Sequence, residues 1–244
     1  MKKIKLTKKD AVYLSIIAVL IIAILVVGLV LGIEPPPKEE DFFKKYYDDK
    51  CSAFAMQNTN LSKGQIVFIG DSITDLCPLD DYYQDLPLAC YNRGIGGDTT
   101  EGVLKRLQVS LFDIAPTKIV LMIGTNDVDG GKSEEYILSN YEKIICEIKK
   151  ELPQVELYCM SIIPQNEVLE SYSELDTQAN NVKIISINQK IKVLAENSGA
   201  TYVDLYPMLL GSEGNLNKAY SDDGLHLNAN GFVVWSTLIK PYLY

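Results

Sequence analysis

The stretch Gln65-Ile66-Val67-Phe68-Ile69-Gly70-Asp71-Ser72-Ile73-Thr74 passes from an apolar run through a glycine into residues suited to begin a helix. Residues 65–69 read as a strand, and their unbroken apolar character is that of a strand covered on both faces. Gly70 permits a tight strand-to-helix turn, which would expose Ser72 at a helix start, where backbone N–H groups and the positive dipole end favour a developing anion. The plainer reading is that Asp71 or Ser72 only caps a helix.

Outward from this stretch, residues 88–91, 118–123, 156–163 and 201–203 read as further strands, several of them apolar throughout. Between them Ile137, Tyr141, Ile144, Ile145 and Ile148 repeat at helical spacing, as do Ile184, Ile187, Ile191 and Leu194. Strand and helix in alternation predict an α/β domain: a parallel sheet of five strands with helices on both sides. Ligands of such sheets bind beyond the carboxyl ends of the strands. Every chemically suggestive motif of the chain falls at such an end.

The second motif is Asn92-Arg93-Gly94-Ile95-Gly96-Gly97-Asp98-Thr99-Thr100-Glu101. Asp98 with Glu101 resembles a capping box, so a helix is expected to start there, and the glycines before it let backbone approach a reacting group closely. The glycine spacings of nucleotide-binding loops are absent. A Gly97 N–H aimed at an oxyanion is the better reading, with Gly94 as the alternative; Arg93 is expected at most to pair with a neighbouring acid. The third motif, Gly124-Thr125-Asn126-Asp127, is either a plain turn or a place where the Asn126 amide donates to a tetrahedral intermediate. The fourth is Asp223-Gly224-Leu225-His226. His226 is the one histidine of the chain, hence the one side chain suited to deprotonating a serine near neutrality, and a carboxylate three residues earlier can hold its ring. Asp222 is the alternative partner.

Gly70-Asp71-Ser72, the Gly97 loop after Asn92, Gly124-Thr125-Asn126-Asp127 and Asp223-x-x-His226 match in order the four blocks of the SGNH hydrolases, also called GDSL-type esterases and lipases. The resemblance covers about residues 62–244. It implies a flavodoxin-like three-layer α/β/α domain in which Ser72 is the nucleophile, His226 the base and Asp223 the residue that orients it. It further implies an oxyanion hole formed by the Ser72 N–H, the Gly97 N–H and the Asn126 side chain, with no metal or organic cofactor.

Ahead of the domain, residues 11–33 carry no charge, long enough at about 1.5 Å per residue to cross a hydrocarbon layer of about 30 Å. A cleaved signal would have an apolar core of about 7–15 residues and a small-residue cleavage site, a poorer fit. The expected organisation is a basic tail at 1–10, a transmembrane anchor at 11–33, a linker or stalk with a possible first helix at 34–60, and the catalytic domain at 61–244. Five lysines within residues 1–10 place the N-terminus in the cytoplasm and the domain outside, secretion after cleavage being the alternative. The tail's net +4 within a chain of net charge −9 leaves −13 for residues 11–244, which disfavours nucleic acid as a partner. Cys51, Cys77, Cys90, Cys146 and Cys159 lack metal-type spacing and are expected mostly as buried thiols, a disulfide through Cys51 or Cys77 remaining open.

The function expected is an extracytoplasmic serine esterase acting on short, acetyl-type acyl esters of cell-envelope polysaccharide, small molecules or lipids. The alternatives are an O-acyltransferase on the same site and a non-catalytic glycan-binding module. Tyr46, Tyr47, Tyr82 and Tyr83 could stack on sugars. Asp75, Asp80 and Asp81 read as a solvated loop, and residues 164–180 as a wall of the pocket.

Overall fold

The computed structural model describes residues 39–167 and 176–244. Five strands, β1 (Ile66–Gly70), β2 (Cys90–Gly94), β3 (Lys118–Met122), β4 (Glu156–Met160) and β5 (Thr201–Val203), pair in parallel in the order β2-β1-β3-β4-β5. All five residues of β1 are buried, because successive side chains enter opposite cores. Val67 and Ile69 join Ile119 and Leu121 on one face, while Ile66 and Phe68 join Val120 and Met122 on the other. A strand with two apolar faces has no polar positions to alternate with, which is why its sequence reads as a continuous run.

The helices are α1 (Glu39–Asn58), α2 (Ser72–Asp75), α3 (Leu79–Tyr83), α4 (Thr100–Lys105), α5 (Thr125–Asp129), α6 (Glu134–Glu151), α7 (Thr177–Asn197) and α8 (Ala229–Ile239). Ile137, Tyr141, Ile144 and Ile148 of α6 and Ile184, Ile187 and Ile191 of α7 fill the first core. Leu79 and Tyr83 of α3 and Phe232, Trp235 and Ile239 of α8 fill the second. The result is three layers, helix on sheet on helix. With β1 and β3 adjacent, the chain leaves the sheet in opposite directions from its centre, and the crevice of a doubly wound sheet opens at their carboxyl ends.

β1 and β3 differ from the sequence reading by no more than one residue at either limit, and two strands differ by more. β2 starts later and runs on to Gly94, taking in Asn92 and Arg93, whose polar side chains are tolerated because this is an edge strand and both find partners. β4 stops at Met160, although Ser161, Ile162 and Ile163 stay buried. Beyond it, Asn188 bonds both the N–H and the carbonyl of Ile162, and Asn181 does the same for Gln165, at 2.8 Å each. Side-chain amides of α7 thus replace a strand partner. The expected capping box is also shifted: Thr99 caps α4 by accepting from the Gly102 N–H, and Asp98 is used elsewhere.

Asp98 belongs to a polar layer buried under the strand ends. The Arg106 guanidinium donates to Asp98 Oδ2 at 2.7 Å, to the carbonyl of Arg93 at 2.8 Å, to Ser110 Oγ at 2.9 Å and to the carbonyl of Gly70 at 3.0 Å. One side chain therefore ties the ends of β1 and β2 to the loop that follows β2. Asp127 accepts from the Thr100 N–H and hydroxyl, both at 2.8 Å, holding the start of α4 against α5. Asp71 accepts from the Ile73 N–H through one oxygen, while the other is buried without a hydrogen-bond partner among the described residues. Burial pushes the Asp71 carboxyl up to about 7; the Ile73 bond opposes this, and the charges of Asp98, Asp127 and Asp129 add to it. Gly70 is glycine for lack of room, since a Cβ there would lie 2.2 Å from the carbonyl oxygen of Met122.

The compact unit containing the sheet runs Phe43–Tyr244, so α1 joins it from Phe43 onward. Tyr47 donates to the carbonyl of Gly102 at 2.8 Å and Asn58 to that of Val109 at 2.7 Å. All five cysteines are free thiols: Cys77 and Cys159 are buried, Cys51 and Cys90 half-buried, and Cys146 is exposed. Among the described residues no helix is long and apolar enough to cross a membrane; the tail at 1–10 and the apolar run at 11–33 lie outside them.

Removing Arg106 leaves Asp98 buried and unpaired, so Arg106→Met is expected to cost about 3–5 kcal/mol in urea unfolding, with partial recovery when Asp98→Asn is added. The raised Asp71 carboxyl binds its proton more tightly folded than unfolded. Its contribution to stability is therefore full below the ordinary carboxyl value of 3.8 and lost as pH rises from there through about 7. Thermal melts of Asp71→Asn across that window should fall less steeply with pH than those of the wild type; an unchanged slope would show that Asp71 is ionised throughout.

Candidate active site

Ser72 is the first residue of α2, a four-residue helix capped by Asp71 at the end of β1. Its hydroxyl meets a loop from the far end of the chain. In that loop Asp223 Oδ1 accepts the N–H groups of Leu225 at 2.9 Å and His226 at 2.7 Å, while the Ser221 hydroxyl accepts from the Gly224 N–H at 2.7 Å. The turn so formed leaves Asp223 Oδ2 2.6 Å from His226 Nδ1 and brings His226 Nε2 to 2.9 Å from Ser72 Oγ. A carboxylate only accepts, so Nδ1 carries a proton and Nε2 can receive one from the serine. Burial pushes the Asp223 carboxyl up, but the bonds from the His226 ring, the His226 N–H and the Leu225 N–H outweigh it and hold the group below its ordinary value. Asp222, the alternative partner, instead accepts from Asn228 Nδ2 at 3.1 Å.

The loop after β2 brings Gly97 into a left-handed conformation with φ of 75°, open to glycine at little cost. Among the described residues neither the Ser72 N–H nor the Gly97 N–H has a protein acceptor. The Gly94 N–H is taken by Asn92 Oδ1 at 2.8 Å, which removes Gly94 as the alternative donor. Asn126, in the first turn of α5, gives one amide hydrogen to the carbonyl of Asp98 at 2.8 Å, which fixes the amide beside the Gly97 loop and leaves its second hydrogen for another acceptor. The arrangement supplies a hydroxyl, a base in line with it, a carboxylate behind the base, and N–H donors for a developing negative oxygen.

Several residues that hold these groups were not singled out from sequence. Asn92 donates to the carbonyls of Thr74 at 2.7 Å, Cys77 at 3.2 Å and Asp75 at 3.3 Å, closing the end of the serine helix. The available signal was weak: Asn92 directly follows the strand read at 88–91. Among the described residues Arg93 pairs with no acid. It donates to Gln57 Oε1 at 2.8 Å and Asn58 Oδ1 at 2.7 Å and lies over the Phe54 ring, with burial first and Arg106 second lowering its pKa to about 10. Asp75 is not part of a solvated loop, since Lys50, Tyr46 and the Gly96 N–H all bond to it; Asp80 and Asp81 are exposed. The four tyrosines have structural partners: Tyr46 bonds Asp75, Tyr47 bonds Gly102, Tyr82 bonds the Ala229 carbonyl, and Tyr83 is buried against Phe68. Asn166 and Glu167 line a cavity of about 380 Å³ beside Asp223 with Lys218, Ser221, Asp222 and Gly224; residues 168–175 of the expected wall lie outside the described residues.

Residues 68–233 match the model of the GDSL-like Lipase/Acylhydrolase family. Human platelet-activating factor acetylhydrolase IB subunit alpha1 is 29% identical over 171 residues, covering 69% of this chain and 70% of that protein. A candidate platelet activating factor from Streptococcus pneumonia is 32% identical, with a TM-score of 0.78 over 84% of this chain and 96% of its own. A GDSL-like lipase from Bacteroides thetaiotaomicron is 26% identical, with a TM-score of 0.69 over 79% and 96%. The chain belongs to the GDSL-like lipase/acylhydrolase family and is a carboxylic ester hydrolase.

Proposed function

We propose that the protein is a membrane-anchored, extracytoplasmic serine esterase that removes short acyl groups, acetyl above all, from carbohydrate, lipid or small-molecule esters. The observation that carries the catalytic reading is the continuous hydrogen-bonded line Asp223–His226–Ser72, with separations of 2.6 and 2.9 Å. Ser72 Oγ attacks the ester carbonyl while His226 Nε2 takes its proton. The tetrahedral oxyanion is met by the N–H groups of Ser72 and Gly97 and by the Asn126 amide. Collapse of the intermediate expels the alcohol, which receives the proton from His226; a water activated by the same ring then releases the acyl group and restores the serine. Asp223 stays ionised throughout and stabilises the imidazolium.

The acetyl preference draws on the relatives described as acetylhydrolases of platelet-activating factor. The location rests on the uncharged run at 11–33 with five lysines before it. An O-acyltransferase would differ only in the acceptor of the second step.

Initial rates on p-nitrophenyl acetate, butyrate and octanoate, measured on the purified full-length chain, test the reading. Ser72→Ala and His226→Ala should each lower kcat at least about 10⁴-fold, and Asn126→Ala roughly 10²- to 10³-fold. The acetate should be the best ester; a preference for octanoate would turn the substrate class toward long-chain lipids. Protease added to intact cells should degrade the domain, and full protection of it would refute the extracytoplasmic location.

A further inference from the structure

The loop that offers the Gly97 N–H is covered from outside the sheet domain's core by α1. Tyr46 Cε1 lies 3.4 Å from where a Cβ on Gly96 would stand, and Phe43 Cδ1 lies 3.1 Å from the equivalent point on Gly97. Beneath these rings Asp75, the last residue of the serine helix, gathers three bonds. Lys50 Nζ reaches Oδ1 at 2.6 Å; the Tyr46 hydroxyl and the Gly96 N–H reach Oδ2 at 2.6 and 3.2 Å. The Lys50–Asp75 pair is mostly shielded, with side chains 27% and 15% exposed, so it is less screened than a surface ion pair. Burial first, then the bond to Asp75, pushes the Tyr46 phenol up to about 12, keeping its proton on the donor side of that bond.

These contacts form one chain of cause: Lys50 and Tyr46 fix the Asp75 carboxylate, the carboxylate fixes the Gly96 N–H, and the next peptide is the one that presents the Gly97 N–H. Oxyanion stabilisation depends on donors held at their final positions before charge develops, and small misplacements are costly. We propose that α1 is a working part of the esterase site, in which Lys50 and Asp75 are positioning residues that preorganise the Gly97 donor. The inference rests on the serine-esterase reading above and adds to it a requirement for the helix ahead of the matched family region, which begins at residue 68.

Steady-state kinetics of the full-length chain on p-nitrophenyl acetate, with Ser72→Ala as the blank, decide the matter. Asp75→Asn and Lys50→Met are expected to lower kcat about tenfold with KM within about twofold, and to weaken a trifluoromethyl ketone by a similar factor. That ketone bonds to Ser72 Oγ and places its own carbonyl oxygen, now an oxyanion, in the hole. Lys50→Arg should retain most of kcat, and the two loss variants combined should lose little more than either alone. Folded Asp75→Asn and Lys50→Met proteins with wild-type kcat and ketone affinity would overturn the proposal and leave the Ser72 esterase standing. Losses confined to KM, or to melting temperature, would overturn it equally. Hydrolysis that survives Ser72→Ala would overturn the underlying reading, and this proposal with it.

Discussion

A guanidinium without water must spend its donors on protein, and the burial of Arg106 imposes that demand on the region beneath the site. Four groups answer it: the last carbonyl of β1, a carbonyl near the end of β2, the Asp98 carboxylate in the loop before α4, and Ser110 one turn beyond Arg106 itself. The ends of two parallel strands and the intervening glycine loop are thereby locked to one rigid centre. Ser72 departs from the first of those strands and Gly97 from the second. Arg106 thus bears on the placement of both, together with the pairing of the two strands themselves.

Amide side chains extend the same logic outward. Asn92 closes the serine helix, Asn126 holds the Asp98 carbonyl, Asn181 and Asn188 stand in for a missing strand, and Asn228 caps α8. Each satisfies backbone groups where the chain leaves regular structure, which is where a catalytic crevice has to be built. Asparagine side chains therefore meet part of the polar cost of the crevice.

The parallel sheet was legible because β1 and β3 are buried on both faces and carry uninterrupted apolar runs, and because the isoleucine stripes of α6 and α7 have no other use. Ser72, Gly97, Asn126, Asp223 and His226 stood out in short motifs; the first three follow β1, β2 and β3, whereas the Asp223–His226 loop lies not at a strand end but well after β5 and just ahead of α8, and a direct line joins Ser72, His226 and Asp223. What escaped was pairing across long sequence distance. No local pattern says that Arg106 serves Gly70, that Lys50 serves Asp75, or that Arg93 turns to the amides of α1 instead of an acid. Asp98 misled for the same reason: its spacing to Glu101 is that of a cap, yet its charge is claimed by Arg106 eight residues on.

Ser72 and His226, whose side chains meet in the crevice, are separated by 154 positions in sequence. Between them lie four of the five strands, and the loop bearing His226 is pinned by α8, whose Trp235 and Ile239 are sealed into the second core. A chain that stops short of residue 226 carries the Ser72 hydroxyl without the imidazole that faces it. On the mechanism proposed above, such a chain has no side chain facing Ser72 that could take its proton.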